Sequence, residues 1–179
     1  MAGILRVDQA NVDVIGPKTA GGTIAIPGHV IQVQSVTKTD TYSGSVTQVW
    51  TDITGLSVAI TPKFSTSKIA VTAYVFGATG INGQVRMVRN GTAIFVGDTA
   101  GSRPPSSAAS FYNHTDGNIS KTYPICGVDS PATTSTVTYK IQWWMNNTTT
   151  FFCNRCVNDT DNADTARGAS SIVVMEIAQ

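Results

Sequence analysis

Val137-Thr138-Tyr139-Lys140-Ile141-Gln142-Trp143 alternates apolar and polar residues without a break. A period of two puts every second side chain on one side of the backbone, which fits a half-buried strand and no helix. The next residue, Trp144, repeats the indole, so the two tryptophans must face opposite ways. One suits a core. The other meets solvent, a second layer or another subunit.

The same signal recurs along the chain. Val30–Val36 alternates, and Lys68–Phe76 puts Ile69, Val71, Ala73 and Val75 on one face before closing at Gly77. Ser45–Ile53 reads as a strand with a turn at Thr54-Gly55, and Leu56–Ile60 as the strand that follows. Gln84–Arg89 and Thr92–Gly97 flank Asn90-Gly91, the hairpin pair that both accept positive φ. Tyr123–Val128, Thr149–Cys153 and Ser171–Ala178 complete the set. Glu, a strong helix former, occurs once, at position 176, and no segment repeats apolar residues at helical spacing. Roughly eight to ten short strands with turn chemistry between them predict an all-β, jelly-roll-like antiparallel β-sandwich over residues 30–179.

Two stretches fall outside the pattern. Residues 1–29 read as an extended N-terminal arm, with Ile4, Leu5, Val7, Val12, Val14 and Ile15 as its apolar anchors. Residues 98–120 form a long loop without periodicity, of the kind that is usually functional or packed on a partner.

Charge narrows the function. Charged residues are 13% of the chain, about half the ordinary share, and the net charge is +1. No excess of either sign points to nucleic acid or an anionic membrane as partner, and a weakly repelling surface favours self-association. The start of the chain lacks a signal-peptide pattern. Apolar runs such as Ile172–Met175 fall far short of the ~18 residues needed to span a bilayer. Three cysteines are too few for a disulfide framework, so folding in a reducing cytoplasm is expected.

Catalytic chemistry finds little purchase. Glycoside hydrolysis needs two positioned carboxylates, and the scattered aspartates offer no such pair. There is no G-x-S-x-G and no P-loop. The expectation is a protein without enzymatic activity and without a cofactor. Cys153-Asn154-Arg155-Cys156 has the spacing of half a zinc site or of a redox pair. It equally suits two reduced thiols buried at a strand end. Asn158–Asp164, with Asp159, Asp161 and Asp164, resembles a calcium loop but lacks the glycine and glutamate of an EF-hand. A solvated turn accounts for it, and a cation held between subunits stays open. Trp144, Phe111 and Tyr112 are the aromatics suited to a partner interface or to stacking on a sugar.

Leu5–Asp8, Lys18–His29, Val30–Gln34, Thr51–Pro62, Ser65–Ile69, Asp129–Thr134, Asp159–Asp161 and Arg167–Ala178 together carry a resemblance over most of residues 4–178. In these segments the chain resembles the small jelly-roll virion surface proteins of cyanophage-like tailed phages, which include capsid decoration (cement) proteins and related tail-fibre tip modules. The resemblance implies a jelly-roll β-sandwich, commonly a homotrimer, on the virion surface and assembled in the host cytoplasm. It transfers no catalytic residue. On this reading the chain is a capsid decoration protein whose partners are its own copies and the major capsid protein. The alternative is a tail-fibre or tail-tip module that recognises host surface glycan.

Overall fold

The computed structural model describes residues 22–24, 26–109 and 117–179. The candidate arm residues Ile4, Leu5, Val7, Val12, Val14 and Ile15, and the aromatics Phe111 and Tyr112, lie outside the described residues.

The strands in chain order are β1 (Val30–Lys38), β2 (Tyr42–Gly44), β3 (Thr51–Ile60), β4 (Lys68–Thr79), β5 (Gly83–Arg89), β6 (Thr92–Ile94), β7 (Ala108–Ala109), β8 (Lys121–Asp129), β9 (Val137–Met145), β10 (Phe151–Cys153) and β11 (Ser170–Ile177). No helix occurs among the described residues. All pairings are antiparallel.

The first sheet runs β1-β11-β4-β8, with β10 and β2 continuing it beyond the end of β11 and β1. The second runs β3-β9-β5, with β6 and β7 sharing the far edge of β5. Counting only the principal strands, and β6 with β7 as one, the first sheet holds strands one, eight, three and six. The other holds strands two, seven, four and five. First pairs with last, second with seventh, third with sixth and fourth with fifth, as if one long hairpin had been wrapped around a barrel. That is the jelly roll.

The inward faces are the alternating residues of the sequence. Ile69, Val71, Ala73 and Val75 from β4 meet Tyr139, Ile141 and Trp143 from β9, all fully or almost fully buried. Trp143 stacks on Phe151 at 5.4 Å and 8° and donates its indole N–H to the Tyr42 hydroxyl at 3.0 Å. Gly44 of β2 lies against that indole so closely that a Cβ there would collide with it.

Several expectations needed adjustment. Residues 45–50 carry no strand, and β3 begins only at Thr51. Thr54-Gly55 is a bulge in one continuous β3 rather than a turn: Asp52 to Ser57 is opposed by only Gln142 to Lys140. Gly55 supplies φ +84, which lets Ile53 and Leu56 both turn inward although three residues apart. β4 passes Gly77 to reach Thr79, because Gly77, Ala78 and Thr79 pair with β10. β6 stops at Ile94, because Phe95 takes φ +55 and turns its ring onto Gly127 of β8. The Asn90-Gly91 hairpin forms as expected, with φ of 47° and 87° and Arg89 opposite Thr92.

Buried polar groups tie the wrapped ribbon together. Asp129 at the end of β8 accepts from Arg89 Nη1 at 2.7 and 2.8 Å and from the Tyr139 hydroxyl at 2.7 Å, linking the two sheets. Burial and the neighbouring carboxylate push the Tyr139 hydroxyl far above the ordinary tyrosine range. Asn154, fully buried at φ +64, donates to the carbonyls of Lys38 and Asp40 at 2.8 and 2.9 Å and accepts from Ser170 at 2.7 Å.

Candidate functional site

The two outer faces of the sandwich differ in chemistry. On the first sheet, Val33 of β1, Met175 of β11, Tyr74 of β4 and Val128 of β8 belong to one solvent side. Val33, Tyr74 and Val128 are 52%, 49% and 60% exposed, and Val30 at the start of β1 is exposed beside them. Val173, Ile177, Ala70, Phe76, Pro124 and Cys126 fill the same side between threonines and serines. Among the described residues of these four strands, Lys68, at the first position of β4, is the single charge on this side. Strands ~4.8 Å apart with ~3.3 Å per residue make a four-strand face of about eight residues on the order of 500 Å². The apolar part of that face is smaller than the whole and falls in the ~300–600 Å² range of the largest apolar patch on an ordinary isolated protein, a kind of patch that is often functional.

The outer face of the second sheet is polar and ordered. Trp143 points inward and Trp144 outward, as their consecutive positions require. Trp144, half-buried, lies 6.4 Å from Trp50 with the rings tilted by 37°. The Arg86 guanidinium covers Trp50 at 4.3 Å from the ring centre. A ladder of side chains runs beside the indoles. Arg86 donates to Gln142 Oε1 at 2.9 and 2.8 Å, Gln142 donates to Asp52 Oδ1 at 2.8 Å, and Lys140 donates to Asp52 Oδ2 at 2.9 Å. Partial burial pushes the Asp52 carboxyl up, but the Gln142 and Lys140 hydrogen bonds outweigh it and hold it below the usual range. Sequence reasoning found Trp144 and missed Trp50, which it placed within an expected Ser45–Ile53 strand; β3 begins only at Thr51, and Trp50 meets Trp144 through the pairing of β3 with β9.

The cysteine pair is interior. Cys153 and Cys156 are buried free thiols; Cys153 lies 3.4 Å from the Ser170 hydroxyl, and Cys156 donates to the Asn118 carbonyl at 2.9 Å. Burial pushes the Cys153 thiol up, away from the reactive thiolate. Cys126 is exposed on the apolar face. In the Asp-rich loop, Asp159 is held by Arg167 Nε at 2.8 Å and lies 3.5 Å from Arg155, while Asn162 accepts the Asp164 N–H at 2.9 Å. This is a turn closed by its own side chains. Among the described residues no three His, Cys, Asp or Glu side chains gather as metal ligands would.

The fold and these surfaces define a jelly-roll module with one face fit to be covered and one fit to remain wet. No protein-family model matches the sequence. No curated protein matches it either. Among solved structures, the chain is similar to the infectious bursal disease virus VP2 subviral particle at 18% identity and a TM-score of 0.39, covering 96% of this chain and 38% of that one. It is similar to the Gt strain of the same virus at 15% identity and a TM-score of 0.42, covering 96% and 43%. The Gx strain gives 14% identity, a TM-score of 0.37 and the same coverage. The chain thus spans about two fifths of the chains it resembles. Overlaps this loose add nothing to the connectivity traced above.

Proposed function

We propose that this chain is a virion structural protein without enzymatic activity, a capsid decoration protein that binds the shell as a homotrimer and stabilises it. The observation that carries the reading is the contrast between the two outer faces. Covering the apolar sheet β1-β11-β4-β8 removes Val33, Tyr74, Val128 and their neighbours from water, a gain of about 25 cal/mol per Å². A surface with one peripheral charge asks for no charged partner pattern, so it suits the repeated, identical contacts of a symmetric assembly. The sequence resemblance to phage surface proteins supplies the setting, and the sequence reading of residues 1–29 as an arm extends the proposal to contacts with neighbouring subunits.

Trp144 beside Trp50 favours a second reading, in which the module sits at a tail tip and its wet face recognises host glycan. Copy number in purified particles separates the two. Hundreds of copies over the shell support decoration; a few tens or fewer at the tail refute it. Deleting residues 2–28 should abolish shell occupancy. Val128→Asp should do so while the domain stays folded, and Cys126 should be alkylated on the free protein but protected on particles.

A further inference from the structure

Most strands at the sheet edges are blunted against further pairing. β8 carries Pro124, which has no N–H to offer. β3 is interrupted by the bulge at Gly55, and β2, β6 and β7 are only two or three residues long. β1 is different. Its register with β11 runs unbroken from Gln32 to Lys38, without proline or glycine, and its single charge, Lys38, is buried at the far end against Asp40 at 2.7 Å. The ladder fixes which of its backbone groups are spare. Ala178 exchanges hydrogen bonds with the turn before β1, donating to the His29 carbonyl at 2.9 Å and accepting from the Gly28 N–H at 2.9 Å. Antiparallel pairing alternates, so Glu176, Val174 and Ile172 also bond β1, through Gln32, Gln34 and Val36. Val33, Ser35 and Thr37 therefore turn their N–H and C=O groups to the open edge, where no backbone group meets them among the described residues.

The chain reaches β1 through a turn that leaves this edge open. Pro27 and Gly28, the latter at φ +85, are the central residues of a type II turn closed by the His29 N–H on the Ile26 carbonyl at 3.0 Å. The twist of such a turn runs against that of a hairpin and splays the two segments it joins. Residues 22–24 accordingly belong to no strand and make no backbone bond to β1. A cleft of about 440 Å³ opens here, lined by Ile24 and Ile26 of the incoming chain and by His29, Val30, Ile31 and Lys63. Residues 1–21 precede this point, and within them Val12-Asp13-Val14 alternates as a strand does. Residues 16–26 span up to about 40 Å when extended, roughly the width of a domain this size. We propose that residues 9–15 of one copy add as a strand to the β1 edge of the next, on the backbone groups of Val33, Ser35 and Thr37. Each copy gives an arm and receives one, a head-to-tail exchange that closes into a ring. The inference rests on the homotrimer of the proposed function and names the contact that holds it together.

The test uses two full-length variants with one defect each. Ser35→Pro removes an N–H from the open edge and leaves the bonds of β1 to β11 in place. Val12→Pro combined with Asp13→Pro removes an N–H from each side of the arm strand. Near-UV circular dichroism checks that the sandwich around Trp143 stays folded in both. Analytical ultracentrifugation should find a trimer for the wild type and a monomer for each variant alone. Mixed in equal amounts, the two variants should form a one-to-one dimer, because the intact arm of the edge variant fits the intact edge of the arm variant. Hydrogen exchange should find the Val33, Ser35 and Thr37 amides protected in the wild-type trimer and exposed in the arm variant. Trimers that survive either defect overturn the exchange and leave the homotrimer standing. Folded variants that stay monomeric when mixed overturn the exchange as well. A monomeric wild type overturns exchange and homotrimer together, and protection of the three amides in that monomer would place the arm on its own β1. Particle copy number reads the decoration proposal independently of all these outcomes.

Discussion

Replacing Glu176 with glutamine tests the internal electrostatics of the sandwich most sharply. Glu176 lies on the inward side of β11 and is fully buried. Its carboxylate accepts the Lys63 N–H at 2.7 Å, the Phe64 N–H at 3.3 Å, the Ser67 hydroxyl at 2.7 Å and the Gln32 amide at 2.6 Å. Burial alone would push this carboxyl up. The hydrogen bonds from Gln32, Ser67 and the two backbone N–H groups outweigh burial and hold it below the ordinary glutamate range. A depressed carboxyl contributes stability above its unfolded value of 4.5, and that contribution is lost as pH falls through the folded value. In Glu176→Gln the Oε1 contacts can persist without charge, but an amide NH₂ then faces the Gln32 donor. Gln32 also donates to the Thr61 carbonyl at 2.7 Å, so turning its amide to relieve the conflict gives up that bond. Loss of charge assistance and one mismatched contact should cost about 2 kcal/mol at pH 7, within the ~1.5–3 kcal/mol typical of hydrogen bonds to a charged group. For a domain of this size that is a fall in Tm of roughly 4–8 °C. Glu176→Ala, which strands the buried Ser67 hydroxyl and the part-buried Lys63 and Phe64 N–H groups, should cost about 3 kcal/mol. Urea denaturation of wild type and Glu176→Gln at pH 7 and again near pH 3.5 checks the sign. The gap between them should shrink in acid, as the wild-type carboxyl takes up its proton. A gap that stays constant or widens refutes the account of Glu176 as a charged anchor.

Other perturbations follow from the same structure. Asp129→Asn leaves Arg89 facing a neutral amide inside the sandwich and should cost about 3 kcal/mol by chemical denaturation, the lower end for breaking a buried pair. Tyr139→Phe, which spares the ion pair, should cost about 1 kcal/mol. Gly91→Ala forces a Cβ into φ +87 in the hairpin and should lower stability by about 1 kcal/mol, measured as the midpoint of urea unfolding. Iodoacetamide added to the native free protein should label Cys126 alone by mass spectrometry, with Cys153 and Cys156 reacting only after unfolding.

What was legible in the sequence is what the backbone decides locally. A period of two requires strands, so β4 and β9 and their inward residues could be read directly, from Ile69 to Val75 and from Val137 to Trp143. Asn90-Gly91 requires a tight hairpin because both residues accept positive φ. The opposed directions of Trp143 and Trp144 follow from the pleat alone. Scarce charge is visible without any fold.

Tertiary structure decided everything that depends on which distant residues meet. Glu176 reads as one more polar residue near the end of the chain until the 61–67 turn folds its N–H groups over it. Bulges such as that at Gly55 depend on what the neighbouring strand offers, so Ile53 and Leu56 looked like members of separate strands. The apolar outer face cannot be seen in any one strand. Val33, Met175, Tyr74 and Val128 come from four segments, and nothing in any one of those segments shows that the other three lie beside it. They become a surface only when the wrapped pairing of first strand with last, and third with sixth, brings them side by side. Periodicity reports the direction of a side chain relative to its own backbone. Which neighbours share that direction is a property of the pairing order, and that order is set by packing across the whole chain.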